Sequence, residues 1–208
     1  MSLQLIQHLM VNRDGSLPEI AHCLYAYITA GNGVFVYARR PGLEALIPAV
    51  TGNIAGLPNL IPRIELLKRV PGRLLKQTLF FSQKAFPNEL LFWFNWSGLW
   101  SVHLPDQFVT RSSAAPCDRH NPAGTNALID LHSHARFSPF FSPVDDRDET
   151  GFRIYAVIGS LNKVPAISVR VGVYSHYYSI PASTVFELPQ GICDLYDKED
   201  SKHEDQQG

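Results

Sequence analysis

The spacing of apolar and polar positions changes several times along the chain, and each spacing predicts a different element. VFVYAR (34–39) is β-branched and aromatic, which predicts a strand. Leu17–Tyr27 is predicted as a short helix. The turn-forming stretches AGNG, RPG, TGN and LPN separate these short runs before residue 70. We therefore expect a small N-terminal α+β module over residues 1–70, in which no motif indicates a role.

The spacing becomes helical after Pro71-Gly72. The residues that recur on one helical face are Leu74, Leu75, Thr78, Leu79, Ser82 and Phe86. This pattern predicts an amphipathic helix of about three turns, and Pro87-Asn88 is expected to end it. LLFWF and LWSVHL then flank Asn95–Gly98, which predicts a hairpin of two aromatic strands.

The remainder of the chain predicts further strands, with a loop from Arg111 to Gly124. The predicted strands are NALIDLHSH (126–134), FRIYAVIGS (152–160), AISVRVGVY (166–174) and VFEL (185–188). Helices mixed with strands predict a mixed α/β or α+β sheet over residues 71–193. Residues 194–208 are acidic and poor in apolar side chains, so we expect a disordered tail.

Composition narrows the class of protein. Of the 208 residues, 45% are hydrophobic and 18% are charged, with a net charge of −1, which is typical of a globular protein and argues against a dedicated nucleic-acid binder. A basic segment is interpreted as a solvated face: Arg63, Lys68, Arg69, Arg73, Lys76 and Lys84. No apolar run is long enough for a membrane span, and no basic residue precedes the N-terminal apolar stretch. We expect a soluble cytoplasmic protein.

The three cysteines, Cys23, Cys117 and Cys193, are widely separated and form no CxxC pair. They therefore indicate neither a disulfide framework nor a thiolate zinc site, and reduced, mostly buried thiols are expected. A cysteine nucleophile at Cys117 with His120 nearby is an alternative, but their separation of three residues is no evidence for it.

The stretch HSHARFSPFFSPVD (132–145) carries the candidate chemistry. Residues i and i+2 of a strand point to the same face, so His132 and His134 can present both imidazoles to one point. Two imidazoles and a carboxylate around an open fourth position form a hydrolytic zinc site, and Asp145 can supply the carboxylate. The histidine pair can also arise by chance. SPVD predicts a helix start as well, with Ser142 as N-cap and Pro143 in the first turn.

The spacing H-S-H-x7-S-x2-D resembles the signature of the JAB/MPN/Mov34 metalloenzymes, the JAMM peptidases, at every fixed position. The resemblance covers about residues 73–190 and implies a JAB/MPN-type, cytidine-deaminase-like sheet flanked by helices. Among prokaryotic members the chain is most similar to the PRTRC system A group, in which an N-terminal module precedes the JAB domain. That group is associated with a ThiF/E1-like protein, a ubiquitin-like protein and a ParB-related protein.

The resemblance implies a role for each site residue. His132, His134 and Asp145 would bind zinc (Zn²⁺), and Ser142 would stabilise the oxyanion. A general base is expected between the first helix and the next strand. Of the upstream candidates Glu19, Glu44, Glu65 and Glu89, only Glu89 lies at such a junction. Members usually continue with small residues and glycine after this glutamate, whereas Leu90, Leu91 and Phe92 follow here.

Several polar neighbours of the motif have alternative interpretations. Asp146 and Asp148 are rival ligands, but the spacing selects Asp145 and assigns the rest of DDRDE (145–149) to a solvated helix face. Asp130 can orient an imidazole or be an ordinary strand-end acid, and the second interpretation is preferred. Arg136 and Arg147 flank the motif and are candidates to contact a substrate tail.

The resulting expectation is a zinc metallopeptidase or isopeptidase that acts on a ubiquitin-like protein or its conjugates. A catalytically silent MPN scaffold for protein–protein interaction is the main alternative, although silent members typically lose ligands and this chain keeps them all. Nucleic-acid binding through the basic segment is the weakest interpretation. A small-molecule amidase would need the same residues.

Overall fold

The computed structural model describes residues 5–196, so the predicted acidic tail from residue 197 onward lies outside the described residues. The chain divides into two compact units. The first comprises residues up to Leu67 together with Thr150–Phe152 and Val171–Tyr178, and the second comprises Lys68–Glu149, Arg153–Arg170 and the chain from Ser179. In the described residues, no helix is both long and apolar enough to cross a membrane.

The N-terminal region forms one five-stranded sheet in the order β1-β2-β3-β4-β5. Its strands are β1 (Ile6–Met10), β2 (Tyr25–Ala30), β3 (Gly33–Arg40), β4 (Leu43–Thr51) and β5 (Arg63–Leu66). The first pair is parallel and the other three are antiparallel. The prediction of VFVYAR as a strand is confirmed by β3.

The α+β prediction for this N-terminal module is wrong, because no helix occurs among its described residues before Lys68. Leu17–Tyr27, predicted as a helix, has no helical residue, and Tyr25 already begins β2. The residues of β2 alternate strictly between half-buried and buried positions, which is the period of a strand. Its inward residues join the apolar core of this sheet, formed by Val11, Ile28, Ala30, Phe35, Tyr37, Leu46 and Leu60.

The second sheet is mixed and runs in the order β13-β12-β11-β10-β6-β7, with β14 paired to β12. Its strands are β6 (Leu91–Trp96), β7 (Trp100–His103), β10 (Ile129–Ser133), β11 (Phe152–Gly159), β12 (Ala166–Val173), β13 (His176–Ile180) and β14 (Cys193–Asp194). The helices are α1 (Gly72–Ala85), α2 (Pro122–Thr125), α3 (Pro143–Asp148) and α4 (Ala182–Val185), and a small hairpin joins β8 (Gln107–Val109) to β9 (Ala114–Pro116). The chain is therefore a mixed α+β protein with few helices.

The long periodic segments match their predictions. Helix α1 buries Leu74, Leu75, Thr78 and Ser82 on one face and ends before Pro87, as the spacing predicted. The aromatic hairpin forms as β6 and β7, which pair antiparallel. The strands predicted over 152–160 and 166–174 are confirmed as β11 and β12.

Three shorter predictions are wrong. VFEL is not a strand: Val185 ends α4, and Phe186 forms only an isolated bridge with Val70. The expected loop from Arg111 to Gly124 contains β9 and most of α2. The tail was expected to begin at Asp194, but this residue is buried in β14 and accepts hydrogen bonds from the backbone N–H groups of Ser183 and Tyr196.

Strand β10 lies inside the second sheet and positions the candidate site. It pairs parallel with β11 and antiparallel with β6, so both of its edges are hydrogen-bonded. The loop after it is fixed by Ser160, whose backbone N–H donates to the Phe137 carbonyl at 2.7 Å. A side chain at Gly159 would lie 2.4 Å from that carbonyl, so this close approach requires glycine.

Candidate metal centre

The two histidines are placed by the end of β10. His132 lies on this strand, and His134 follows the strand's last residue, Ser133. The backbone N–H of His134 donates to the carbonyl of Ile158 at 2.7 Å, so the pairing with β11 continues by one residue. The alternation of a strand therefore extends to His134, and both imidazoles lie on the same face. Their Nε2 atoms are 3.2 Å apart.

The carboxylate of Asp145 comes from the first turn of α3. Ser142 is the N-cap, and its Oγ accepts from the backbone N–H of Asp145 at 3.3 Å. In return Asp145 Oδ2 accepts from the backbone N–H of Ser142 at 2.5 Å, which completes a capping box. The other oxygen, Oδ1, lies 3.6 Å from His132 Nε2. Asp145 thus uses one oxygen for the helix cap and presents the other to the histidines.

These three side chains fit the donor set of a zinc ion. The ligand atoms of His132, His134 and Asp145 all lie within 4.8 Å of one another. Two donors at tetrahedral zinc, each about 2.0–2.1 Å from the metal, lie about 3.3 Å apart. The observed Nε2–Nε2 and Nε2–Oδ1 separations of 3.2 and 3.6 Å lie on either side of that value. The two pairs of donors that include His132 are therefore already spaced as tetrahedral zinc requires.

Burial keeps both imidazoles in the form that binds metals. It lowers the pKa of His132 to about 4, although the nearby Asp145 carboxylate opposes the shift. Burial also lowers the pKa of His134. Neutral imidazole has a lone pair available for a metal, whereas imidazolium has none. At neutral pH both rings can act as ligands.

Glu89 lies in the connection between α1 and β6, as predicted, and is 5% exposed. Its backbone N–H donates to the Thr110 carbonyl at 2.8 Å. The next residue, Leu90, exchanges two hydrogen bonds of 2.9 Å with Ser133: its N–H donates to Ser133 Oγ, and its carbonyl accepts from Ser133 N–H. These bonds tie the Glu89 backbone to the end of β10.

One cavity of about 460 Å³ is lined by Glu89, His132, His134, Ser142 and Asp145. All five residues selected from the sequence therefore face the same space. Burial, and secondarily the negative charge of Asp145, raises the pKa of Glu89 to about 7. A carboxyl group of this kind can both take up and release a proton near neutral pH.

The sequence assigned no functional role to two residues that the structure makes candidates, namely Glu149 and Arg170. Glu149 was assigned to a solvated face, but its side chain is only 12% exposed and its Oε2 accepts from Arg170 Nε and Nη2 at 3.1 and 2.6 Å. Burial raises the pKa of Glu149, whereas the hydrogen bonds and the positive charge of Arg170 lower it and favour the carboxylate. Two patterns could have revealed the pair. Glu149 is four residues from Asp145 on one helix face, and Arg170 interrupts an apolar strand.

The remaining acidic candidates have other partners. Asp130 pairs with Arg153 Nη1 at 2.8 Å. Asp146, predicted to be solvated, is bound by Arg170 Nη1 at 2.6 Å, whereas Asp148 is exposed as expected. The upstream candidates Glu19, Glu44 and Glu65 belong to the first unit. Glu44 pairs there at 3.2 Å with Arg63, the first residue of β5.

The remaining candidates from the sequence do not line the cavity, namely Arg136, Arg147, Cys117 and His120. Arg136 packs over the ring of Phe86 at 5.3 Å, and Arg147 is exposed. Cys117 and His120 are both exposed, and no hydrogen bond joins their side chains within the described part of the chain. All three cysteines are free, but the prediction of mostly buried thiols is wrong, because Cys117 is exposed and Cys23 and Cys193 are only partly buried.

The resemblance to the JAMM peptidases rests on the spacing of the motif in the sequence. No protein-family model matches the chain, and no curated protein matches it either.

Proposed function

We propose that the chain is a zinc-dependent metallopeptidase or isopeptidase with a JAB/MPN-type catalytic domain over residues 71–193. The observation that carries the proposal is the meeting of His132, His134 and Asp145 within 4.8 Å, on a cavity that also contains a buried glutamate. Two neutral imidazoles, one carboxylate and a fourth side open to a cavity are typical of catalytic zinc and not of closed structural sites.

In this proposal His132 and His134 would hold the metal through Nε2, and Asp145 would hold it through Oδ1. A zinc ion held there would polarise a carbonyl oxygen and lower the pKa of a water molecule to about 7. The strand end and the capping box hold the three ligands in place before the metal arrives. Such preorganisation lowers the cost of assembling the site.

Glu89 acts as the general acid and base. Glu89 is not one of the three proposed ligands, but it lines the same cavity. Its carboxylate can therefore take a proton from the attacking water while all three ligands keep their place. After the C–N bond breaks, Glu89 passes that proton to the departing amine. The backbone bonds of Glu89 and Leu90 keep this carboxylate at the entrance to β6.

Ser142 stabilises the oxyanion that forms on the substrate carbonyl. Its Oγ accepts the N–H of Asp145, and a hydroxyl that accepts one hydrogen bond still has its own hydrogen to donate. Because Ser142 lines the cavity, that hydrogen can reach the carbonyl oxygen as negative charge develops there. The N-cap role and the catalytic role use different parts of one hydroxyl.

The proposed substrate is the C-terminal tail of a ubiquitin-like protein, or its conjugate, with a ThiF/E1-like protein as a possible functional partner. The class comes from the resemblance of the motif, and the size of the cavity supports it. A volume of about 460 Å³ has room for a few residues of an extended chain and not for a folded domain. A flexible tail is the part of a ubiquitin-like protein that such a cavity can admit.

The test combines metal analysis with hydrolysis. The full chain, purified without chelator, is expected to contain one zinc per chain and to cleave an amide or isopeptide bond at the C-terminus of a ubiquitin-like protein. Chelation should stop cleavage, and added zinc should restore it. Zinc-loaded protein that cleaves neither isopeptide nor linear amide substrates would favour the scaffold alternative. Protein that takes up no zinc would overturn the proposal as a whole.

A further inference from the structure

The two ring nitrogens of His132 face different groups. Its Nε2 lies toward the candidate metal centre, 3.2 Å from His134 Nε2 and 3.6 Å from Asp145 Oδ1. Its Nδ1 points away from that centre and lies 3.9 Å from Glu149 Oε1. Neutral imidazole carries one proton, and the nitrogen that carries it cannot bind a metal. The group opposite Nδ1 therefore decides whether Nε2 is free to act as a ligand.

Glu149 is held in place by a buried arginine. Arg170, whose side chain is 7% exposed, donates from Nε and Nη2 to Glu149 Oε2. Its Nη1 binds Asp146, so one guanidinium holds two residues of the α3 segment. The same group stacks at 3.9 Å over the ring of Phe141. A planar guanidinium fixed on three sides leaves the carboxylate of Glu149 little freedom to turn.

We infer that Glu149 is a positioning residue that keeps the proton of His132 on Nδ1 and thereby leaves Nε2 free for the metal. Arg170 binds Oε2, whereas Oε1 is the oxygen that faces Nδ1. The separation of 3.9 Å is about 0.7 Å longer than a formed N–H···O hydrogen bond. A small rotation of the His132 ring closes this gap without moving the carboxylate. This inference rests on the proposed zinc site and adds a residue that the motif does not contain.

His134 shows the same arrangement with a different acceptor. Its Nε2 faces the centre, and its Nδ1 lies 3.4 Å from the carbonyl oxygen of Ser138. A backbone carbonyl only accepts, so it also selects the form protonated on Nδ1. Both imidazoles thus present Nε2 inward and an acceptor outward, as metal-binding histidines in proteins usually do. Only the acceptor of His132 is a side chain, so only that one can be changed by substitution.

The test is Glu149→Gln, with Glu65→Gln as the matched control at an exposed position of β5 that does not line the cavity. In the variant Arg170 should take the amide oxygen, which turns the amide NH₂ toward His132 Nδ1. A donor at that place favours protonation on Nε2. Nitrogen NMR of the folded, metal-free protein is expected to show His132 protonated on Nδ1 in the wild type and in Glu65→Gln, and on Nε2 in Glu149→Gln. Zinc affinity, measured by competition with a chelator, should fall about 10–100-fold in Glu149→Gln alone.

Two results would overturn the inference. One is metal-free wild-type protein with His132 protonated on Nε2, a measurement that needs no variant and so is independent of how the variant folds. The other is a Glu149→Gln variant that is folded by circular dichroism but keeps wild-type zinc affinity and the Nδ1 proton. Failure of the proposed function looks different, because wild-type protein would then show the expected His132 proton and zinc affinity without hydrolysing any amide.

Discussion

The two halves of the candidate site are held by different kinds of interaction. His132 and His134 come from a strand end that is hydrogen-bonded on both edges within the second sheet. Asp145 and Ser142 come from the start of α3, a helix of six residues, none of which is buried. The strand half is fixed by backbone pairing, and the helix half by side chains, namely the capping box and Arg170. A metal site can therefore be rigid on one side and depend on a few polar contacts on the other.

Loss of a ligand should have the largest effect and should show the difference between the halves. His134→Ala and Asp145→Ala are each expected to remove bound zinc and all hydrolysis, because two protein ligands rarely retain zinc. Asp145→Ala also removes the cap acceptor, at a cost of about 1 kcal/mol. Metal analysis and thermal unfolding of the metal-free proteins check both effects.

Asp145→Asn is the matched variant, since its amide oxygen can still cap α3 while the charge of the ligand is lost. It should resemble Asp145→Ala in zinc content and the wild type in metal-free stability. If either alanine variant kept stoichiometric zinc, that residue would not be a ligand.

Glu89→Gln should abolish hydrolysis while leaving zinc content and the unfolding temperature close to those of the wild type. The amide is nearly isosteric but cannot accept the proton at neutral pH. Glu89 belongs to the strand half of the site, because its neighbour Leu90 is hydrogen-bonded to Ser133 at the end of β10. The substitution leaves these bonds intact, so the geometry of the histidines should not change.

Glu65→Gln is the control for this variant. Glu65 lies on β5 of the first unit, and its side chain is 65% exposed, so its substitution should be almost silent. Loss of activity in Glu65→Gln together with full activity in Glu89→Gln would remove Glu89 from the mechanism.

Ser142→Ala is expected to lower turnover about 100-fold or more with zinc retained, and to cost about 1 kcal/mol of stability as a lost cap. Asn121→Ala provides the comparison, because Asn121 caps α2 by accepting the N–H of Ala123 at 2.9 Å and does not line the cavity. Steady-state kinetics and chemical unfolding of both variants separate the two contributions. Equal, small losses of turnover in both would leave Ser142 with the cap alone.

The smallest effect on chemistry is expected from Ser133→Ala, which tests the strand half directly. Ser133 is fully buried, and its Oγ accepts the N–H of Leu90. The substitution leaves that N–H unpaired, at a cost of about 1–3 kcal/mol, but the backbone pairing of β10 stays, so zinc content should not change. Ser101→Ala, at an exposed position of β7, should cost almost nothing. Loss of zinc in Ser133→Ala would show that the strand half also depends on a side chain.

The sequence allowed the local parts of the site to be predicted. The i, i+2 spacing of the histidines and the S-P-V-D cap depend on residues close together in the chain, and both structures form where they were expected. Glu149, the C-cap residue of α3, contacts Arg170 of β12. Patterns in the sequence could mark each residue as unusual, but none of them specifies that the two meet. The chemistry itself, with zinc and an amide substrate, stays a prediction.

The difference between local sequence patterns and contacts between distant residues also explains which fold predictions were correct. Helix α1 and strands β11 and β12 have long, regular patterns and were predicted correctly. Leu17–Tyr27 and VFEL are short apolar stretches, and short stretches do not distinguish helix from strand. The strand character of β2 becomes evident from its alternating burial and from its pairing with β1 and β3. Pairing partners, unlike periodicity, are supplied by the rest of the molecule.

The two oxygens of the Asp145 carboxylate have different partners, so a metal bound at the proposed site would also affect the order of the first turn of α3. Since Oδ2 caps α3 and Oδ1 faces the histidines, an ion bound to this side chain also restrains the first turn of the helix. By mass action, a ligand that binds only the ordered form shifts the population toward it. Arg147 is exposed within the same helix, so trypsin cleavage after Arg147 should slow as zinc is added. Limited proteolysis would then follow the loading of the centre even in catalytically inactive variants that keep all three ligands.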